Sequence, residues 1–260
     1  MMKHVHHLAL TEDLSGTWCN SSAVTSSVME AVSFVTPVLE KFFIRTVHES
    51  LSEQTPVALR ERCRAFILEE TEHSCVHKKF NTSVLKYLGH KPHGLGMVES
   101  LLDGAHRLLP LPYRLLIAAA LEHFAAVLSR AYISQGGRLD FESCFAREMF
   151  LQHAREEIAH RSVVFDLWLN KGASGWFSRT LTILGIMLAG FVYVSVSVPG
   201  ILYKKNCHRL FRTLSDLACF SIRNRVAIKA YSPLRELFSF VRRNFHPDHL
   251  VGENPGGAAS

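Results

Sequence analysis

Cysteine pairs are missing from this 260-residue chain. Cys19, Cys63, Cys75, Cys144, Cys207 and Cys219 share no CxxC spacing and no regular framework, which excludes a disulfide scaffold and favours a reducing, cytoplasmic compartment. The N-terminus also lacks a basic start followed by an apolar run, so no secretory leader is expected. Alternating β-branched runs are scarce, which argues against a sheet. Strong charge is lacking too. The formal net charge is +6, a modest excess gathered mainly after residue 200, which predicts a basic C-terminal face and no nucleic-acid partner. Histidine, by contrast, is abundant at 15 residues. His4, His6, His7, His246 and His249 lie in polar ends and are expected on solvated surface, so only histidines at helical spacing from carboxylates carry information.

With 48% hydrophobic residues, a chain of this length buries one large core without needing a second domain. Helical periodicity covers roughly 28–50, 57–87, 97–134, 140–170, 176–203 and 207–243, so the fold class is all-α. Gly89 to Gly96 reads as a turn. Gln135-Gly136-Gly137 ends the third helix before Asp140 can cap the fourth, and Pro110 and Pro112 divide 97–134 into a short helix and a longer one. The expected organisation is a loosely attached polar arm over 1–27, a bundle over 28–170, an apolar helix and basic C-terminal helices packed on it over 171–243, and a flexible tail over 244–260.

Residues 180–203 carry no charge and are about long enough to cross the apolar core of a bilayer. A single span followed by Lys204, Lys205, Arg209 and Arg212 places the preceding bundle outside the cytoplasm, against reductive metal chemistry inside the cell. The segment also holds Ser195, Ser197, Pro199 and three glycines. A buried or membrane-surface helix is the favoured expectation and a span the alternative, so membrane contact through 180–203 stays among the expectations.

Two segments share the pattern Glu-Glu-x-x-His: Glu69-Glu70-Thr71-Glu72-His73 in the second helix and Glu156-Glu157-Ile158-Ala159-His160 in the fourth. Residues three apart share a helix face, so Glu70 with His73, and Glu157 with His160, each aim an oxygen and a nitrogen at one centre. A two-metal carboxylate bundle needs such a motif on two helices and a single Glu on each of the other two. Glu40, among Val38, Leu39, Phe42 and Phe43, and Glu122, inside the apolar run 115–128, supply them. Glu30 and Glu49 compete for the first-helix role. His153 stands four residues before Glu157 and seven before His160, on their stripe, and is a third candidate nitrogen ligand. One Glu-x-x-His alone is weak evidence, because such pairs are common on solvated faces; two copies with lone carboxylates between them are not. His77, four residues after His73, is expected behind the ligands. Glu69 and Glu156 are expected either to orient a ligand histidine on a neighbouring helix or to be ordinary exposed charge.

These blocks resemble the ferritin-like proteins catalogued as predicted metal-dependent hydrolases, through Glu40-Lys41-Phe42-Phe43-Ile44, Glu70-Thr71-Glu72-His73 with His77-Lys78-Lys79-Phe80-Asn81, Leu121-Glu122-His123-Phe124 and 153–160. The similarity covers roughly 28–170, and the later apolar helix looks like a family feature too. The ligand order is also similar, in spacing only, to that of the di-iron p-aminobenzoate N-oxygenases, whose extra histidine falls on His153. The resemblance implies a ferritin-like four-helix bundle with additional C-terminal helices and metal ligands Glu40, Glu70, His73, Glu122, His153, Glu157 and His160. Mixed carboxylate and imidazole ligation suits two iron ions, with manganese or zinc as alternatives. The leading expectation is activation of dioxygen to oxidise a small organic substrate, with an electron donor as partner. The alternatives are two-metal hydrolysis and a non-enzymatic iron-binding or membrane-associated protein. A homodimer is among the expected assemblies. Phe66, Phe150 and Ala118 are expected to pack the core or wall a pocket.

Overall fold

The computed structural model describes residues 13–134, 139–172, 175–230 and 233–250, with Val5 and Leu10. Among the described residues the chain is all-helical apart from one isolated bridge between Cys19 and Phe141. Helix α1 spans Ala23–Ser50 and starts where Ser22 turns extended and its hydroxyl accepts the Thr25 amide at 3.2 Å, filling one donor that the first helical turn leaves open. Helix α2 spans Val57–Leu88, starting behind Pro56 and stopping at Gly89, whose φ of +81° only glycine adopts without strain. The two prolines divide the next region as expected, into α3 (Leu95–Leu108) and α4 (Leu111–Ser134). Helix α5 spans Cys144–His160, α6 Val163–Asn170, α7 Trp176–Lys205, α8 Leu210–Ala230 and α9 Pro233–Leu237, with single turns of 3-10 helix at Phe238–Val241 and Pro247–Leu250.

Several boundaries differ from expectation for local reasons. The single helix expected over 140–170 is two, broken between His160 and Val163. Its cap is Ser143, whose hydroxyl accepts the Ala146 amide at 3.2 Å, while Asp140 is committed through its backbone to Asn20. Of the arm expected over 1–27, residues 23–27 already belong to α1, and the described residues 13–22 include buried Leu14, Trp18 and Cys19. Trp18 is 3% exposed, stacks on Phe141 and Phe150, and donates its indole N–H to Glu30 at 2.7 Å. The tail expected over 244–260 is likewise packed at its start: Phe245 lies edge-on to Phe165, and His246 Nε2 is 2.8 Å from Asp166. His4, His6, His7 and residues 251–260 lie outside the described residues.

Helix α1 packs on α2 and α4 on α5, and contacts of α1 with α4 and of α2 with α5 close a four-helix ring; α7 lies along α1 and α4. The core falls into two apolar clusters. One gathers Trp18, Phe34, Phe80, Phe145 and Phe150; the other gathers Phe42, Phe66, Leu115, Phe165 and Phe240. Each such side chain contributes roughly 1.5–3 kcal/mol by burial. Along α1 the switch from one cluster to the other falls between Phe34 and Phe42, along α2 between Val76 and Phe66, and between Phe150 of α5 and Val163 of α6. Glu40, Glu70 and Glu157 occupy those gaps.

Candidate metal centre

Buried carboxylates demand partners, because a charge moved out of water without compensation is costly. Glu40, Glu70, Glu122 and Glu157 are each no more than 2% exposed. Neither oxygen of Glu40 or of Glu122 accepts a hydrogen bond, and one oxygen each of Glu70 and Glu157 is also unpartnered. The competing first-helix carboxylates are spoken for. Glu30 accepts from Trp18, Tyr87 and Lys205, and Glu49 pairs with Arg114 at 2.6 Å and Arg45 at 3.2 Å.

The histidines meet these oxygens. One donor atom each of Glu40, His73 and His153 lies within 4.8 Å of the other two, and the same holds for Glu70, His73 and Glu157. His73 Nδ1 is 3.6 Å from Glu70 Oε1 and 3.8 Å from Glu157 Oε1, beyond hydrogen-bond reach. His153 Nε2 is 3.4 Å from Glu157, and His160 Nδ1 is 2.9 Å from Glu70. The His73 and His153 rings are 4.6 Å apart. Glu122 faces the same space, within electrostatic reach of Glu157, Glu70 and Glu40. All seven sequence-selected residues are therefore brought together, from α1, α2, α4 and α5. Four carboxylates and two imidazoles, those of His73 and His153, carry orphaned buried donor atoms, and with His160 beside Glu70 they are the chemistry that divalent cations satisfy, so the residues fit a metal.

Protons hold this cluster together when cations do not. Burial, then the approach of Glu70, pushes Glu157 up to about 8. Burial likewise raises Glu40 and Glu122 well above the usual carboxylate range, with Glu70 adding to the first and Glu157 to the second. For His160 burial opposes the charged form, but the hydrogen bonds to Glu69 and Glu70 win and lift it to about 9. His73 is raised too, against burial, by its hydrogen bond to Glu156 and by the nearby charge of Glu70.

Outside the ligand stripe the two motifs serve each other. Glu156 Oε2 lies 2.5 Å from His73 Nε2, and Glu69 Oε2 meets His160 Nε2. Each motif thus lends its first glutamate to the other's histidine, fixing the ring so that Nδ1 turns inward. His77 is held by a chain that sequence spacing hinted at only through its place four residues after His73. Ser33 spends its hydroxyl hydrogen on Asn81 at 2.8 Å, so it accepts from His77 Nδ1 at 2.9 Å. That leaves His77 Nε2 as a bare buried acceptor beside His153, whose ring is 4.9 Å away. Neither Ser33 nor Asn81 carries a sequence pattern that marks it. His123, next to Glu122, turns away from the site and donates to the carbonyls of Glu236 and Leu237. Phe66 stands edge-on to His160 at 5.1 Å and Phe150 to His77 at 5.7 Å, while Ala118 is fully buried.

Fold and site together define an all-helical protein with a buried glutamate–histidine cluster suited to metal ions. The particular family is given by a family model described as predicted metal-dependent hydrolase, which matches residues 3–250, so the chain belongs to that family. Neither a curated protein nor a solved structure matches it. The family match supports the hydrolytic alternative rather than the oxygen-activating expectation taken from ligand spacing, and it takes in the apolar helix as well as the bundle.

Proposed function

We propose that the protein is a metal-dependent hydrolase whose two divalent ions are held by Glu40, Glu70, His73, Glu122, His153, Glu157 and His160 at the centre of a ferritin-like four-helix bundle formed by α1, α2, α4 and α5. The observation that carries the proposal is the convergence of unpartnered, fully buried donor atoms from these four helices. When bound, such ions supply Lewis acidity and bring a water molecule's pKa near neutrality. The chain's own residues prepare for this. Glu69 and Glu156 fix the histidine tautomers, Phe66 and Phe150 keep bulk water from the rings, and His77 offers Nε2 as a hydrogen-bond acceptor inside the site.

A second reading, oxidation of a small substrate by dioxygen on two iron ions with an external electron donor, is favoured by one observation: the burial of all four carboxylates. Such enclosure admits a small apolar gas more readily than a polar ester. The test is to load the metal-free protein separately with zinc, manganese and iron, and to assay each form on chromogenic esters, amides and phosphoesters beside an oxygen electrode. Cleavage by the zinc or manganese form, equal in air and under argon and lost in Glu157→Ala, supports hydrolysis. Oxygen consumption confined to the iron form, without cleavage, replaces it with the second reading.

A further inference from the structure

Helix α7 has two faces with different chemistry. The inner face is stitched to the bundle along its length: Arg179 donates to the Arg242 carbonyl at 2.8 Å, Tyr193 to Ala31 at 2.7 Å and Ser197 to His93 at 2.5 Å. Lys205 closes the far end on buried Glu30 at 2.9 Å. The outer face carries Phe177, Leu181, Leu184, Leu188 and Phe191, all exposed, with Leu188 at 64% and Phe191 at 71%. Their spacing of four, three, four and three puts them in one stripe, about 21 Å long at 1.5 Å per residue. Exposed apolar stripes of this size on soluble proteins mark contact surfaces.

We propose that this face, with the first turn of α8, docks on an anionic lipid bilayer, the helix lying in the plane of the interface and half-immersed without crossing it. Charge selects the occupant. From Leu167 to Ser215 the chain contains no Asp or Glu, while Lys171, Lys204, Arg209 and Arg212 are basic and not spent on the inner face as Arg179 and Lys205 are. Exposed Arg209 and Arg212 flank Phe211, which at 89% exposed stands out beside the end of α7, the pairing of basic and aromatic groups that suits lipid headgroups above acyl chains. Two copies pairing through this face would set one acid-free basic surface against another. The inner-face bonds decide the orientation: a helix tied to α1 through Tyr193 and Lys205, and to the Arg242 carbonyl through Arg179, cannot cross a bilayer without carrying α1 and its Lys41, with Asp103 beside it, and those two side chains are mostly exposed to water. The proposal does not depend on the metal chemistry.

The full-length protein supplies its own probe, because Trp18 and Trp168 are each 3% exposed while Trp176, at the start of α7, is 50% exposed. Protein is mixed with vesicles of phosphatidylcholine alone or of phosphatidylcholine with phosphatidylglycerol, made with or without bromine-labelled acyl chains, then sedimented and read by fluorescence. Co-sedimentation about tenfold tighter with the phosphatidylglycerol vesicles is expected, together with brominated-chain quenching that disappears in Trp176→Phe. Leu188→Asp/Phe191→Asp, at exposed positions, should lose vesicle binding while keeping helicity and metal content. If that variant does not fold, quenching of Trp176 in the wild type decides alone. No sedimentation with either vesicle, binding without Trp176 quenching, or a dimer that the double variant splits with no lipid binding overturns the proposal, the last in favour of a second copy.

Discussion

Adding a divalent metal to the metal-free protein should raise its melting temperature by roughly 10 °C at a thousandfold excess over Kd, since linkage then supplies about 4 kcal/mol and a chain of this size gains about 2–4 °C per kcal/mol. The gap should widen with pH, and the direction follows from the protons the site holds. Glu157 rises from 4.5 to about 8 and His160 from 6.5 to about 9 on folding. A group raised in the folded state gives stability that is complete below its unfolded value and lost as pH climbs through its folded value. His77 and His153 are shifted the other way by burial, and their contribution is complete above the ordinary histidine range. Between about pH 7.5 and 9 the metal-free protein should therefore lose stability. The loaded protein should not, because cations replace those protons. Scanning calorimetry of both forms across that range reads the result, and a gap that narrows toward pH 9 contradicts it.

Replacing a central carboxylate should separate stability from metal binding. Glu40→Leu and Glu122→Leu each replace a buried carboxyl with two unpartnered oxygens, crowded by the other carboxylates of the cluster, with an apolar group of similar volume. The metal-free variants should gain about 2 kcal/mol over the metal-free wild type, as when buried charges give way to packed side chains. They should lose most of the metal-induced rise in melting temperature. Most core substitutions destabilise, so a gain marks a residue retained for something other than the fold. A loss of stability in both variants, with metal response intact, would show that these glutamates are ordinary structural groups.

Much of the site is readable from local periodicity. Glu70 with His73 and Glu157 with His160 are one helical turn apart, and Glu122 stands out because its run from 115 to 128 is apolar but for His123. Choosing Glu40 over Glu30 and Glu49 needs three dimensions. Glu30 is committed to Lys205, which is 175 positions away, and no local pattern announces such a pair. The same limit hides Trp18, a lone aromatic in a polar segment whose partners Phe141 and Phe150 lie more than a hundred positions away in sequence. Ser143 displaces Asp140 as a cap because Asp140 is held by Asn20, again a remote contact. Helix α7 is the sharpest case. Hydropathy alone admits a span as well as the favoured buried or membrane-surface helix, and only its bonds to Ala31, His93 and Glu30 show that one face is inside and the other is not.

The central claim, that seven converging side chains hold two metal ions, is tested most directly by elemental mass spectrometry of protein purified without oxygen, beside a Glu157→Ala/His160→Ala variant. The account predicts close to two ions per wild-type chain and loss of both in the folded variant. Wild-type protein that carries no metal and takes none up, or a variant that keeps the full complement, would contradict it.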